Sequence, residues 1–571
     1  MAPAYALVLA LAVTAPLLAP GYLLLRDAVS TPRSYLSDAA LGLSEAAPRA
    51  LPQDFFLAVV STVVDGGVVT KALLVAGLWL AGWGAARLAA AVVPESGIAG
   101  QCVAATVAVW NPYVAERLLQ GHWSLLVGYG CLPWVATTVL RMRESARWSS
   151  VWALAFWLAL AGLTPTGLML AATVALVCVV APGQGWRRWR CAGLALGMTV
   201  IAALPWLVAV AVARSLESSQ ADGVVAFAAR AEPGLGTLLS LAGLGGIWNG
   251  DAVPPSRTTL FAIIGTAVLL GVVALGVPVV LRRPAAVPLM MLAGAAVVLP
   301  ALMATGPGLS LLEAAIRAFP GLGVVRDGQK WVALAMPGYA LAGAAAVVVA
   351  RRWMPAAAAA TLCCAALIAT LPDLAWGVGG RVGAVQYPPG WAKVAAMINA
   401  DPRPVAVMPM GSMRRFEWAG DAPVLDPLAR WVRADVLTTG DLQIGERTVY
   451  GEGQHARDVQ EILVESADRE LLADAGVGWV VVESSGVESS GVESSGVESS
   501  GPTTPLPLPV AYSDDDLTLY RVGGSAPQAD GRGVVVAAHL AWLAMLLGGA
   551  GAGMARTLSK ASPRVKAPHR R

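Results

Sequence analysis

Apolar residues dominate this chain in long runs, and polar residues come in short clusters between them. Runs long enough for the roughly 30 Å of bilayer hydrocarbon read near 4–25, 69–93, 97–112, 123–140, 149–164, 166–182, 191–213, 259–281, 285–304, 331–350, 355–375 and 533–554. The pattern predicts an α-helical polytopic membrane protein of about twelve spans. Between the last two spans the periodicity changes. PVAVMPM (404–410) and GVGWVVVE (476–483) read as strands, and WAKVAAMINA and ARDVQEILVESADRELLADA read as helices, which predicts a small layered α/β unit. The chain thus divides into a transmembrane part, 1–375, an α/β domain, 376–532, and a last span with a basic tail, 533–571.

Two stretches fit neither class. In 26–68, Tyr35, Leu36, Ala39, Ala40 and Leu43 recur at helical spacing with Ser37 and Asp38 opposite, so an amphipathic helix at the membrane surface is expected. LPQDFFLAVVSTVV follows, too short to span, and reads as a re-entrant or interfacial segment. The repeat VESSGVESSGVESSGVESSG (482–501) is rich in Ser and Gly and reads as a flexible surface loop.

Composition supports the membrane assignment: 56% of the 571 residues are hydrophobic and only 13% charged, where a soluble domain has about 25% charged residues. The net charge of +3 says less than its placement. Arg141, Arg143 and Arg147 follow the fourth predicted span, Arg187, Arg188 and Arg190 the sixth, Arg282 and Arg283 the eighth, and Arg351 and Arg352 the tenth. Arg556, Lys560, Arg564, Lys566, Arg570 and Arg571 follow the twelfth. The positive-inside rule then puts both termini in the cytoplasm and 376–532 outside the plasma membrane. The first run lacks a basic leading region and continues into Gly21–Leu25, so it reads as an uncleaved anchor. Trp110, Trp123, Trp134, Trp186, Trp189, Trp331 and Trp353 fall at the ends of apolar runs, as interface belts do. The six cysteines lie in or beside apolar segments and form no zinc spacing or disulfide framework.

The outward loops carry the candidate chemistry. WNPYVAERLLQGHW (110–123) packs Asn111, Glu116, Arg117, Gln120 and His122 into a chain that otherwise avoids charge. Glu116 and Gln120 share one face of a short helix, and with Arg117 and His122 they read either as a substrate-cavity wall or as a polar cap. The first reading puts His122 or Glu116 roughly 6–10 Å from Asp27, one water's reach across the cavity. Asp27, in GYLLLRDAV, reads as a base for a sugar hydroxyl or as a solvated helix-end charge, with Asp38 the rival. GVVRDGQKW places Arg326, Asp327 and Lys330 where a phosphate group could be held. Trp248, with Asn249 and Asp251, offers a sugar-stacking face. No P-loop, dinucleotide fingerprint, nucleophile elbow or zinc-protease motif is present. No nucleic-acid partner is indicated and the sequence identifies no cofactor, although a divalent cation stays compatible with the pattern.

An anchor ending in an acidic residue, a large first outer loop, the NPYVAERLLQGHW motif, an outer Arg-x-x-x-Lys loop and a C-terminal outer lobe together resemble polytopic GT-C glycosyltransferases. Closest in pattern are actinobacterial cell-envelope arabinofuranosyl- and mannosyltransferases that use polyprenyl-phosphate sugars. The resemblance covers roughly residues 1–375. It implies inverting transfer in the outer leaflet from a polyprenyl-phosphate sugar to an envelope glycan or lipoglycan. It would make Asp27, or else Asp38, the catalytic acid-derived base, and would give the donor phosphate to Arg326 and Lys330. Paired acidic residues that many members carry in the first loop are missing here. A non-catalytic envelope scaffold, a glycan-binding protein or a lipid-carrier translocator is the alternative.

Overall fold

The computed structural model describes all residues except 46–49, 214–222, 410, 445–446, 484–504, 528 and 562–571. The VESSG repeat and the end of the basic tail therefore lie outside the described residues, apart from Val482 and Glu483 of the repeat.

Apolar runs become helices, but fewer of them are long enough to cross a bilayer than twelve. Among the described residues six helices qualify: Gly66–Val92, Trp123–Glu144, Arg188–Ala213, Phe261–Val280, Gly328–Ala350 and Arg532–Gly553. Two bent pairs, Val287–Met303 with Gly306–Ala318 (91°) and Ala356–Ala369 with Pro372–Gly379 (77°), raise the number to eight. Other expected spans are short: Gly97–Val109 has 13 residues, Trp148–Ala161 has 14 and Pro165–Val179 has 15. Local chemistry sets these limits. Thr164 caps the helix after it through the Gly167 amide, with Pro165 at its first position, so the fifth and sixth runs cannot fuse.

Small residues let the helices meet closely. A Cβ on Gly77 would stand 2.9 Å from Val127 Cα, and one on Gly130 would collide with the Gly77 carbonyl, so Gly66–Val92 and Trp123–Glu144 touch backbone to backbone. Indole positions differ from a simple belt. Trp110 and Trp123 are buried in the helical core, whereas Trp189 and Trp353 are exposed.

Two further corrections fall near the N-terminus. The first run does not stay helical to residue 25: Ala2–Thr14 and a 3-10 turn, Ala15–Leu18, give way at Pro20-Gly21 to a strand, Tyr22–Leu25. That strand is central in a three-stranded antiparallel sheet between Ala28–Val29 and Ala384–Val385. The expected surface helix shrinks to Asp38–Leu41, closed by Gly42 in the left-handed region, followed by Gln53–Val60.

Residues beyond 376 build a five-stranded sheet in the order Val510–Ser513, Leu517–Arg521, Trp479–Glu483, Val405–Met408, Val436–Leu437. The last three run parallel and the first two antiparallel. Pro389–Ala400 packs on one face around Trp391, and Gln454–Glu465 with Arg469–Asp474 on the other.

Candidate functional site

Asn111 builds the first support. Its Oδ1 accepts from the Val114 amide (3.1 Å) and caps the helix Pro112–Leu119, while its Nδ2 donates to Val107 O (2.9 Å). That helix stops at Gln120, and Gly121, at φ +81°, turns the chain into Trp123–Glu144. Only glycine fits here. A Cβ would strike the Leu25 carbonyl and the Ala28 amide, because the Tyr22–Leu25/Ala28–Val29 hairpin rests on this turn.

Asp27 sits at the hairpin tip, its amide donating to Gln120 O (3.3 Å). Arg26 before it adopts φ +48°, an uncommon conformation for a non-glycine residue. Its guanidinium donates to Leu119 O (2.6 Å) and Asp251 O (3.1 Å). Its backbone pairs with the α/β lobe, donating to Pro423 O (2.7 Å) and accepting from the Leu425 amide (2.9 Å). The tip is held from three directions.

Asp27 Oδ2 accepts from Gln120 Nε2 (3.1 Å) and His122 Nε2 (2.9 Å). Oδ1 has no protein partner among the described residues, and the side chain is 37% exposed. His122 Nδ1 lies 3.1 Å from Arg117 Nη1. A guanidinium can only donate, so Nδ1 accepts and the proton of a neutral His122 is on Nε2, aimed at Asp27. Burial pushes the His122 pKa down, against the pull of Asp27. Burial would raise the Asp27 carboxyl, but the His122 and Gln120 bonds and the Lys330 charge outweigh it and hold it below the ordinary range. Asp27 is therefore an ionised acceptor.

A buried layer fixes this pair. Arg117 makes a two-pronged contact with Asp327 (2.9 and 3.1 Å) and donates to Gln329 Oε1. Gln329 Nε2 donates to Glu116 Oε2 (2.8 Å), which also accepts from the Ile247 amide, and Glu116 Oε1 accepts from Gly246. Gln120 Oε1 accepts from Asn249 Nδ2 (2.8 Å), orienting the amide that donates to Asp27. Burial, with the Glu232 charge next, pushes Glu116 well up, whereas Arg117 and Lys330 overcome burial and hold Asp327 well below the carboxylate range. Lys330 Nζ lies 3.6 Å from Asp327 and is one-quarter exposed.

The sequence-derived residues thus separate into groups. Asp27, Gln120, His122, Arg117, Asp327 and Lys330 form one connected cluster. Of the four residues expected to wall a cavity, Glu116 and Arg117 are fully buried and bonded to protein, and Asp327, expected beside a phosphate, is bound to Arg117; all three hold Gln120, His122 and Lys330 in place. His122 meets Asp27 directly, not across a gap. Asp38 lies elsewhere, bound to Arg532 and the Ala529 amide. Arg326 and Trp248 flank Phe227: the guanidinium lies 4.2 Å from its ring centroid, and the indole packs edge-on at 4.7 Å. Gln329 and the lobe contact at Arg26 were not anticipated, and Asn249, read as part of a sugar-stacking face, instead bonds Gln120. Gln329 was visible only as the residue between Asp327 and Lys330. Among the described residues no group of three or more His, Cys, Asp or Glu is placed to hold a metal.

No family model and no curated protein matches the chain. Solved structures do share its fold. Cryo-EM structures of the arabinofuranosyltransferase AftD from mycobacteria superpose with TM-scores of 0.51 and, for a mutant of it, 0.53, at 18% identity. They cover 92% and 93% of this chain, which spans only 40% and 42% of those longer proteins.

Proposed function

We propose that this chain, which has the fold of a mycobacterial arabinofuranosyltransferase, is itself a membrane glycosyltransferase of the GT-C type. It moves a sugar from a polyprenyl-phosphate donor to a hydroxyl of an envelope glycan or lipoglycan on the extracytoplasmic side. Asp27 is the base. Its Oδ1 takes the acceptor hydroxyl proton, the acceptor oxygen bonds to the anomeric carbon from the opposite face, and the carbon–phosphate oxygen bond breaks with inversion. Lys330, and Arg326 beside Phe227, offset charge on the departing phosphate. His122 and Gln120 keep Oδ2 occupied, so the free oxygen is presented in one orientation.

The observation carrying this reading is the Asp27 carboxylate itself. It is ionised, bonded among the described residues on one oxygen only, partly exposed at a strained hairpin tip, and backed by a buried polar network. The test is transfer of labelled sugar from a polyprenyl-phosphate pentose or mannose to envelope acceptors by the purified chain. Asp27→Asn should lower kcat about 10²–10⁴-fold, and Lys330→Met should raise KM for the donor. An Asp27→Asn protein as active as the parent removes the base. A parent that binds donor but transfers nothing favours the translocator or scaffold.

A further inference from the structure

The bundle end away from Asp27 holds a concavity with polar side chains in its wall. Gly66–Val92 begins beside the hairpin, where Tyr22 Oη donates to Asp65, and Trp123–Glu144 begins at His122. Arg87 and Arg141 stand near the opposite ends of these helices. Both line a cavity of about 370 Å³ together with Pro3, Trp83, Gln101 and several alanines.

Its charge is unbalanced. No carboxylate lines this cavity, and neither Arg87 nor Arg141 has an ion-pair or side-chain hydrogen-bond partner among the described residues. Neighbouring arginines are used otherwise. Arg283 pairs with Glu95, Arg351 donates to the Glu95 carbonyl, and Arg143 donates to the Ala181 and Trp186 carbonyls. The Arg87 guanidinium is held 5.7 Å over the Trp134 ring, so it is positioned and not merely extended toward water. Two guanidiniums on one cavity repel unless an anion stands between them. The remaining wall, Trp83, Pro3 and alanines, is apolar and suits glycerol and the first acyl carbons.

We infer that this cavity binds the phosphate of an anionic phospholipid head group, gripped by Arg87, Arg141 and the Gln101 amide. Free phosphate shares the anion contacts but gains nothing from the apolar wall. The full chain, delipidated in detergent, is titrated separately with phosphatidylglycerol, phosphatidylcholine and inorganic phosphate while melting and retained lipid are followed. Phosphatidylglycerol should raise Tm and be retained, phosphatidylcholine should not, and phosphate should act only weakly. Arg87→Gln/Arg141→Gln should weaken phosphatidylglycerol binding by about tenfold or more, and Arg352→Gln, an exposed charge off the cavity, should leave it unchanged. Where the double variant does not fold, Arg141→Gln alone, at an exposed position, carries the comparison. Equal response to both lipids, or an Arg352→Gln effect as large as that of the cavity variants, overturns the site. Phosphate as effective as phosphatidylglycerol overturns the lipid as its occupant.

Discussion

Replacing Arg117 by Leu tests the buried layer behind Asp27. Arg117 is fully buried and its two-pronged contact neutralises Asp327, itself almost without solvent. Removing one partner of such a pair costs about 3–5 kcal/mol, mostly the penalty of a stranded buried charge. Lys330, 3.6 Å from Asp327, softens the loss, so Arg117→Leu is expected near the lower end, about 3 kcal/mol. Asp327→Leu should cost about as much, because Arg117 then loses its anionic partner and keeps Gln329, His122 and the Tyr113 ring beside it. Leu at both positions strands no charge, so the double variant should lose only about 1–2 kcal/mol, a coupling of several kcal/mol where an exposed pair gives about 0–1. The assay is SDS-driven unfolding in mixed micelles, read from tryptophan fluorescence. Since the Asp327 carboxyl is depressed in the folded state, its contribution is fully present above its unfolded pKa of about 4 and is lost only as pH falls below that. The parent should therefore show no change from this group between about pH 5 and pH 8. Single losses under about 1 kcal/mol, or a double loss equal to their sum, would refute the reasoning.

Gly121→Ala must move the hairpin off the turn, so transfer activity should fall at least about tenfold while the bundle still melts cooperatively; unchanged kcat would show that Asp27 tolerates displacement. Glu483, buried beside Asp426 with only Arg414 as counter-charge, has its carboxyl pushed up to about 8, burial being the main cause. The folded form then keeps a proton that the unfolded form releases above about pH 4.5, so stability should decline from there to about pH 8 and then level off. Glu483→Gln should flatten this decline in melting curves taken from pH 5 to 9, and an equally steep curve would refute the assignment. Reporters fused after Arg352 and within 420–450 should read cytoplasmic and extracytoplasmic respectively, and swapped signals would reverse the proposed orientation.

Helices were legible where an apolar run was long, as in Gly66–Val92 and, despite Pro133 inside it, Trp123–Glu144. Crossing length was harder to read, because Thr164-Pro165 ends one helix and caps the next without interrupting hydrophobicity. YLLL is apolar enough for either a span or a strand; Pro20-Gly21 was the signal that the helix had ended. At the site, Asp27, His122, Arg117 and Lys330 could be named because charge is rare in this chain. Their roles could not be assigned. Whether Arg117 faces a ligand or Asp327 depends on how Gly328–Ala350 packs against the turn before Trp123, a tertiary contact with no local signal. Asp38 illustrates the same limit: its place on the surface helix was readable, its partner Arg532 was not.

Arg26 is tied to Leu119 and Asp251, 93 and 225 residues further on, and to Pro423 and Leu425 beyond those. In chain order the hairpin precedes all of these clamps, and Pro423 and Leu425 follow most of the bundle helices. A nascent chain halted before Pro423 would keep the tip's contacts to Leu119, Gln120 and Asp251 but would lack its backbone pairing with Pro423 and Leu425. Closing contacts over such separations is slow, so the Arg26–Asp27 tip is fixed on its third side only once the lobe has folded against it. A chain whose lobe misfolds would thereby lose the pairing of Arg26 with Pro423 and Leu425, and with it one of the three directions from which the Asp27 tip is held.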